Sequence, residues 1–466
     1  MILTSFTIFM MLFLLIGVAS VLKSRNTVDD YLMAGKSVPP SLVGLSAIAT
    51  NNSGFMFIGM IGFTYAYGLS SIWMMVGWIT GDLVGSLLTV RKIQQVSRGA
   101  NIHSFGGLLS HWHGTDYRTL RVIAGLMTVI FLTVYAAAQL KAGSKATASL
   151  LEWPIEIGVI LSAAIVLVYS MAGGIRASIW TDVAQSIVMI IGMGVLVVVG
   201  LQIHGGIDPS LAELSEISPD YMSWLPAKES NFHIVLFVTG WFFGGISVIG
   251  QPHIIIRFMS LDDEKNINRM RFYYYSWFTL FYAATIVVGL LSRLVIPEVS
   301  GFDAELALPE MASGLLPEVF VGLILAAMFA ATMSTADSLI LACSASVTRD
   351  IYQNEQHSLW ITKLATFSVL LVAVLIALSG NKTVFALVLD AWGMLSSAFV
   401  PMIVMYALGK KLPESMAISM LAVGLITFIV WNRFGMGEII YSAAPGILSG
   451  FVTYMVLAAI KRPQSV

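Results

Sequence analysis

Apolar runs long enough to cross a bilayer recur from one end of this chain to the other. They constrain its fold more than any other feature. A helix rises about 1.5 Å per residue, so some 20 apolar residues span the hydrocarbon core. About thirteen such runs can be marked: 2–21, 41–67, 70–90, 122–149, 154–172, 179–201, 233–257, 272–294, 316–345, 359–379, 383–408, 414–432 and 438–460. Backbone groups in lipid must be satisfied within the protein, and runs of this length meet that demand as helices. Composition agrees, with 57% hydrophobic and 11% charged residues among 466 and a mean hydropathy of +0.85. A net charge of −1 gives no electrostatic footing for nucleic acid. The single Cys343 excludes a disulfide framework and a cysteine metal cluster, and reads as a small buried residue. The expected fold class is an all-α polytopic membrane protein whose residues 1–466 form one transmembrane domain.

Basic residues set the orientation. Lys23, Arg25, Lys36, Arg91, Arg98, Arg121, Arg176, Lys265, Arg271, Arg349, Lys410, Lys411, Lys461 and Arg462 fall on one set of alternate connections. The other set holds Lys228, Arg293, Lys382 and Arg433 among acids such as Asp208, Glu213 and Asp303. The basic side faces the cytoplasm. The N-terminus is therefore expected outside and the C-terminus inside, in a plasma membrane of the bacterial inner-membrane kind. The first span has no basic flank and no small-residue cleavage site, so it is expected to be retained.

Polar residues inside apolar runs carry the functional signal. Ala326 to Ser338 follows the apolar run Val319–Leu325, yet holds Thr332, Ser334, Thr335, Asp337 and Ser338. Ser334, Asp337 and Ser338 stand at i, i+3 and i+4 and share one helix face. The neighbouring alanines admit another backbone closely. Hydroxyls, a carboxylate and carbonyls make an oxygen-only environment that suits a small hard cation. The alternative is a polar helix–helix contact with Asp337 in a watery vestibule.

The second span contains Ala47-Ile-Ala-Thr-Asn-Asn-Ser-Gly54, a group of poor helix formers near its middle. The seventh contains Gly240 to His253 with glycines at 240, 244, 245 and 250 and Pro252. Each is either a broken helix lining a cavity or a kink at a packing contact. The two interrupted spans stand five apart, the spacing of two inverted five-helix repeats. That divides the chain into an extra span at 1–21, a first repeat at 41–201, a second at 233–408 and two last spans at 414–460. Asp82 lies deep in the third span and should face the bundle interior or water. The fourth carries Tyr135, Gln139, Lys141 and Lys145; Lys145 is expected to snorkel, and Lys141 either snorkels or balances an anionic group. Gly35-Lys36-Ser37 lacks the earlier glycine and the strand of a phosphate loop.

Several motifs together resemble the sodium:solute symporter family, most of all its sodium/proline branch. They are Asp29 to Ser37, Leu45-Ser-Ala47 with Ser53-Gly54, Tyr169 to Gln185, Gly250-Gln-Pro-His-Ile254 with Arg257-Phe-Met259, and Met333-Ser-Thr335 with Asp350-Ile-Tyr352. The resemblance runs from about Thr27 to Ala458. It implies a leucine-transporter-type fold, alternating access, and Na+ as the coupling ion that drives uptake of a small organic solute such as proline. It also implies a sodium position made by the carbonyls of Ala49, Asn52 and Ala331 and the hydroxyls of Ser334 and Thr335. Some relatives hold a second sodium deeper, and the matching positions here are Asp182, Ser334, Asp337 and Ser338. Two carboxylates there mean strong cation binding or one protonated acid. The solute is expected at the two helix interruptions, contacted by Ser53, Gly54, Gly244, Gly245 and Val248, with Tyr135 and Lys141 on the fourth span.

This chain departs from the branch in two places. Asn51 stands where the branch has an aspartate, while Asp82 stands where it has a small residue. The aromatic solute residues of span seven fall here on Gly244 and Val248. The solute therefore extends, as alternatives, to another small carboxylate of pantothenate-like or sialic-acid-like kind. A sensor built on this fold would need a signalling tail, and the sequence ends at Val466 soon after its last span. A membrane enzyme would need a nucleophile–base constellation, which the seven histidines do not supply. The expected partners are thus a small solute, sodium and the lipid bilayer.

Overall fold

In the computed structural model the described residues are 1–226, 230–297, 300–353, 358–379 and 384–460. Lys228, Lys382, Lys461 and Arg462, part of the charge count above, lie outside them. The principal helices are α1 (Ile2–Ala19), α2 (Pro40–Gly54), α3 (Ile61–Tyr67), α4 (Ile72–Gly99), α5 (Arg118–Leu151) and α6 (Ile155–Ile203). They continue with α7 (Asn231–Ile246), α8 (Pro252–Met259), α9 (Ile267–Val295) and α10 (Glu318–Ala345). Last come α11 (Leu359–Ser379), α12 (Val384–Ala407), α13 (Glu414–Arg433) and α14 (Ala443–Ile460). The only β pairing among the described residues is the bridge Val38–Leu261.

Eleven helical stretches among the described residues are long and apolar enough to cross a membrane. Two of them, Pro40–Gly99 and Ile155–Ile203, run for 60 and 49 residues, far beyond the ~20 that one crossing needs. Each contains a glycine with positive φ and non-helical ψ: Gly68 (75°, −151°) and Gly174 (56°, −138°). A Cβ at Gly174 would also lie 2.3 Å from the Tyr31 carbonyl oxygen, so only glycine fits that corner. The structure thus shows eleven such stretches among the described residues where the sequence led to an expectation of about thirteen, two of the eleven being turned at these glycines.

Helix α10 is the axis of the molecule. Its continuous stretch, Glu318–Ile351, is 89% buried in its most apolar window, against 28% for α1. Alanines at 326, 327, 330, 331 and 336 are fully buried, and their small size lets α1, α2, α5 and α6 all pack on one helix. The charged link before α2 is docked. Thr27 caps the short helix Val28–Met33 by accepting from the Asp30 N–H, and Asp30 Oδ1 pairs with Arg176 at 2.5 Å. Asp29 pairs with Arg349 at 2.8 Å, and Lys36 Nζ donates to the Ser97 carbonyl at 2.6 Å, a structural contact.

Lys145, near the end of its span, has partners that the sequence does not show: its Nζ pairs with Asp303 Oδ2 at 3.0 Å and with Glu305. The acids of the 300–306 connection reach it, a long-range contact that helical spacing cannot reveal.

Candidate functional site

The second span does break. Ser53 adopts φ 48° and ψ −175°, a left-handed φ for a non-glycine residue. The break frees backbone groups that find specific partners. Gly54 N–H donates to Gln139 Oε1 at 2.9 Å, and Phe55 N–H to Ser53 Oγ at 3.1 Å. The helix resumes as a π-turn at Phe55–Met60 and then α3. The seventh span breaks less sharply. It tightens to a 3₁₀ turn at Ser247–Gly250, extends at Gln251, and restarts at Pro252, which needs no N–H donor there. Gln251 Nε2 spans the gap to the Trp392 carbonyl at 3.0 Å.

Helix α10 lies against the first break. Ser334 Oγ donates to the carbonyls of Ala49 (3.3 Å) and Ala331 (3.1 Å). Thr335 Oγ1 donates to those of Thr50 (3.0 Å) and Ala331 (3.2 Å). Four of the five expected sodium ligands thus meet, together with a carbonyl, Thr50, that sequence reading had not named. The fifth, the Asn52 carbonyl, accepts from the Phe55 N–H across the break. All the oxygens are neutral, and rotation of two hydroxyl protons would turn their lone pairs towards a cation among the carbonyls. The donor set fits a hard monovalent ion.

The second cluster is also assembled, but a cation of the protein already stands in it. Arg257 from α8 is 1% exposed, and Asp182 and Asp337 are each 0% exposed. Its guanidinium reaches Asp182 Oδ2 at 3.1 Å, Ser178 Oγ at 2.6 Å, Ser46 Oγ at 3.0 Å and the His253 carbonyl at 3.0 Å. It also donates to Ser338 Oγ and lies 3.8 Å from Asp337 Oδ1. The expected pair of carboxylates around a metal ion is here a pair around an arginine. The residue was visible in the Arg257-Phe-Met motif; its reach across three helices was not.

The expected solute contacts divide. Ser53 and Gly54 form the break itself. Tyr135 is fully buried beside it, with its ring 5.8 Å from His253 and 6.4 Å from Trp392. Gly244 presents its Cα hydrogens to the Trp78 ring, where a Cβ would sit at an ordinary 3.4 Å. Its carbonyl accepts from Trp392 Nε1 at 3.2 Å. Val248 is fully buried in the turn. Gly245 does not face the interior: a Cβ there would lie 2.0 Å from the Trp78 carbonyl oxygen, so it is a helix-packing glycine of α7 on α4. Lys141 is half-buried, and Asp82 is held by other partners. The residues sequence reading missed are Trp78, His253 and Trp392. Asn52 Nδ2, Gln139 Nε2 and both nitrogens of His253 are buried without partners, so polar groups face this region from three helices.

Asp82 is 1% exposed in α4. It accepts from Tyr274 Oη at 2.7 Å and Tyr275 Oη at 3.3 Å, both on α9. The Tyr274 hydroxyl in turn accepts from Asn51 Nδ2 at 2.6 Å. The two positions that set this sequence apart are therefore joined through one phenol.

Comparisons with known proteins agree with this geometry. The sequence pattern of the Sodium:solute symporter family matches residues 31–424. The chain is 28% identical to the sodium/proline symporter of Escherichia coli, over 99% of this chain and 94% of that one. It is 26% identical to the high-affinity proline transporter of Bacillus subtilis, over 97% and 96%. Among solved structures, a Na+-coupled sialic acid symporter superposes with a TM-score of 0.82 at 19% identity, over 99% and 98% of the two chains. The transporter MhsT, solved with L-phenylalanine, gives 0.60 at 14% identity over 89% and 98%. These two similarities show a common fold of leucine-transporter type.

Proposed function

Because the chain belongs to the sodium:solute symporter family, and so is a sodium-coupled carrier and not an enzyme, we propose that its solute is a small amino acid such as proline. The substrate named for its relatives supports this reading. The indole and phenol rings of Trp78, Trp392 and Tyr135 lie together beside the breaks, with the Trp78 and Tyr135 centroids 5.6 and 6.4 Å from that of Trp392. The observation that carries the proposal is the meeting of the first interrupted helix with the Ser334 and Thr335 hydroxyls at its break. A half-helix N-terminus at Gly54–Phe55 suits a solute carboxylate, while the carbonyls on the other side suit the cation. Sodium would be held by Ala49, Thr50, Ala331, Ser334 and Thr335, all neutral, so that it can leave on the low-sodium side.

In this reading the cation of the deeper cluster is Arg257 itself, which balances one of the two acids. Residues 41–201 and 233–408 act as two inverted repeats that rock against each other, with the N-terminus outside and the C-terminus in the cytoplasm of a plasma membrane. The test is uptake of labelled L-proline into proteoliposomes with an imposed sodium gradient. Accumulation that collapses when sodium is equal on both sides supports the proposal. Sodium-driven uptake of another carboxylate, with no competition by proline, would keep the coupling and overturn the solute.

A further inference from the structure

Asp82 is a buried acid outside both clusters described above. Its hydrogen-bond partners are two phenols, and among the described residues it forms no ion pair. The elements packed on α4 explain this. On α9, Tyr274 and Tyr275 touch the carboxylate, and Arg271 is turned to Ser86, with Nε 3.0 Å from its hydroxyl. On α8, His253 faces Tyr135 and Trp392, while Arg257 is committed to Asp182. The titratable residue of α7, His233, lies at that helix's exposed outer end, and the turn Ser247–Gly250 has none. On α12, Asp390 is held by Asn432 at 2.8 Å. The short helix Phe105–His111 has only His111, beside Asp116, and the turn Glu264–Asn266 packs at the far end of α4 near Arg91.

A bare carboxylate in such a place is costly, and either a cation or a proton relieves it. The hydrogen bonds favour the proton. As the structure stands, Asn51 Nδ2 donates to Tyr274 Oη, and Tyr274 donates to the carboxylate: the arrangement of an ionised Asp82. Asn51 Oδ1 is buried without a partner. If Asp82 takes a proton from water, its hydroxyl donates to Tyr274 Oη. The Tyr274 proton must then turn elsewhere, and a rotated Asn51 amide offers that idle Oδ1 as acceptor. Both protonation states can be satisfied, by reversing the chain of donors. No covalent bond changes except the O–H on Asp82, whose proton returns to water on release.

We propose that Asp82 is a proton-binding site, and that the Tyr274 hydroxyl relays its protonation state to Asn51 on the sodium-binding helix. Asn51 lies between Thr50 and Asn52, so reversal of its hydrogen bond alters the turn that presents the sodium carbonyls. The inference rests on that sodium reading. A sodium ion beside this turn adds positive charge to the same low-dielectric region and favours the ionised acid. Sodium binding should therefore release a proton, and by linkage sodium should bind more tightly as pH rises.

The test uses purified full-length protein in weakly buffered detergent with a pH-indicator dye, titrated with sodium chloride against choline chloride. Tryptophan fluorescence reports sodium binding independently. The wild type should release protons saturably, and its apparent sodium affinity should rise by up to about tenfold per pH unit where Asp82 is protonated. Asp82→Asn should bind sodium with no proton release and no such slope. Tyr274→Phe keeps the acid and removes the relay, so its slope should fall to less than half. Sodium binding by wild type without proton release overturns the proposal, as does an unchanged slope in Tyr274→Phe, which decides the matter even if Asp82→Asn does not fold. A fluorescence titration with no sodium response at all in wild type would instead refute the underlying sodium site.

Discussion

Removing Arg257 is the most informative perturbation of the core. Its guanidinium donates to three serine hydroxyls, one carbonyl and Asp182, with Asp337 within 3.8 Å, and all three charged groups are at most 1% exposed. Arg257→Met fills similar length but leaves two carboxylates buried together without a counter-charge. Breaking a buried pair in this way costs about 3–5 kcal/mol. That loss should appear as a lower unfolding free energy in mixed micelles containing sodium dodecyl sulfate. Adding Asp182→Asn removes one uncompensated charge, so the double variant should regain more than ~1.5 kcal/mol, a coupling typical of groups in one network. Two acids and three serines without their arginine also form a cation site, so sodium should stabilise Arg257→Met more than wild type. A loss below about 1 kcal/mol, or strictly additive effects of the two substitutions, would refute the arrangement.

Other substitutions separate the sites. Ser334→Ala with Thr335→Ala should raise the sodium concentration for half-maximal uptake by at least about tenfold, since two ligands to a charged ion are lost; unchanged sodium dependence with uptake intact would show that the ion binds elsewhere. Gly244→Ala should fold and shift solute affinity, whereas Gly245→Ala should reduce the yield of folded protein, because its Cβ meets the Trp78 carbonyl at 2.0 Å; equal behaviour of the two in size-exclusion chromatography would contradict that packing. Burial first, with Lys36 and Arg349 adding to it against Asp29, pushes His103 down to about 4. The unfolded chain then binds more protons between about 4 and 6.5, so this contribution to stability is present above that window and lost as pH falls through it. His103→Gln should flatten thermal stability across those values, and an unaltered acid limb would exclude the effect. Lys141→Met should leave neutral solutes unaffected and weaken carboxylates if Lys141 meets the solute, measured by competition for uptake.

The fold was legible wherever a local pattern encodes it. Apolar run lengths placed the helices, and the Asn51-Asn52-Ser53-Gly54 cluster marked the break, because poor helix formers in lipid need a structural reason. The i, i+3, i+4 polar face of α10 pointed to the right helix. Contacts across hundreds of positions were not legible. Nothing near Lys145 announces Asp303, and nothing near Asp82 announces Tyr274. Gly245 was read as a solute contact because a glycine in an interrupted helix looks the same whether it admits a ligand or another backbone; the packing on Trp78 decides it. Arg257 stands in a motif far along the chain from Asp182 and Asp337, the two acids expected to mean strong cation binding or one protonated acid. Only three dimensions reveal that the arginine reaches both.

The small bridge at Val38 has a mechanical meaning. Val38 N–H bonds the Ser260 carbonyl at 3.1 Å, and Asp262 N–H bonds the Val38 carbonyl at 3.0 Å. Arg98 reinforces the joint from α4 by donating to the carbonyls of Lys36, Leu261 and Asp262. The joint fastens the entrance of the first broken helix to the exit of the second, two segments more than 200 residues apart. Interrupted helices are weak members, prone to bend independently at their gaps. Clamped at one end, they become two legs of a single frame, so a tilt imposed on either leg is carried to the other, and the gaps keep their alignment while the frame swings.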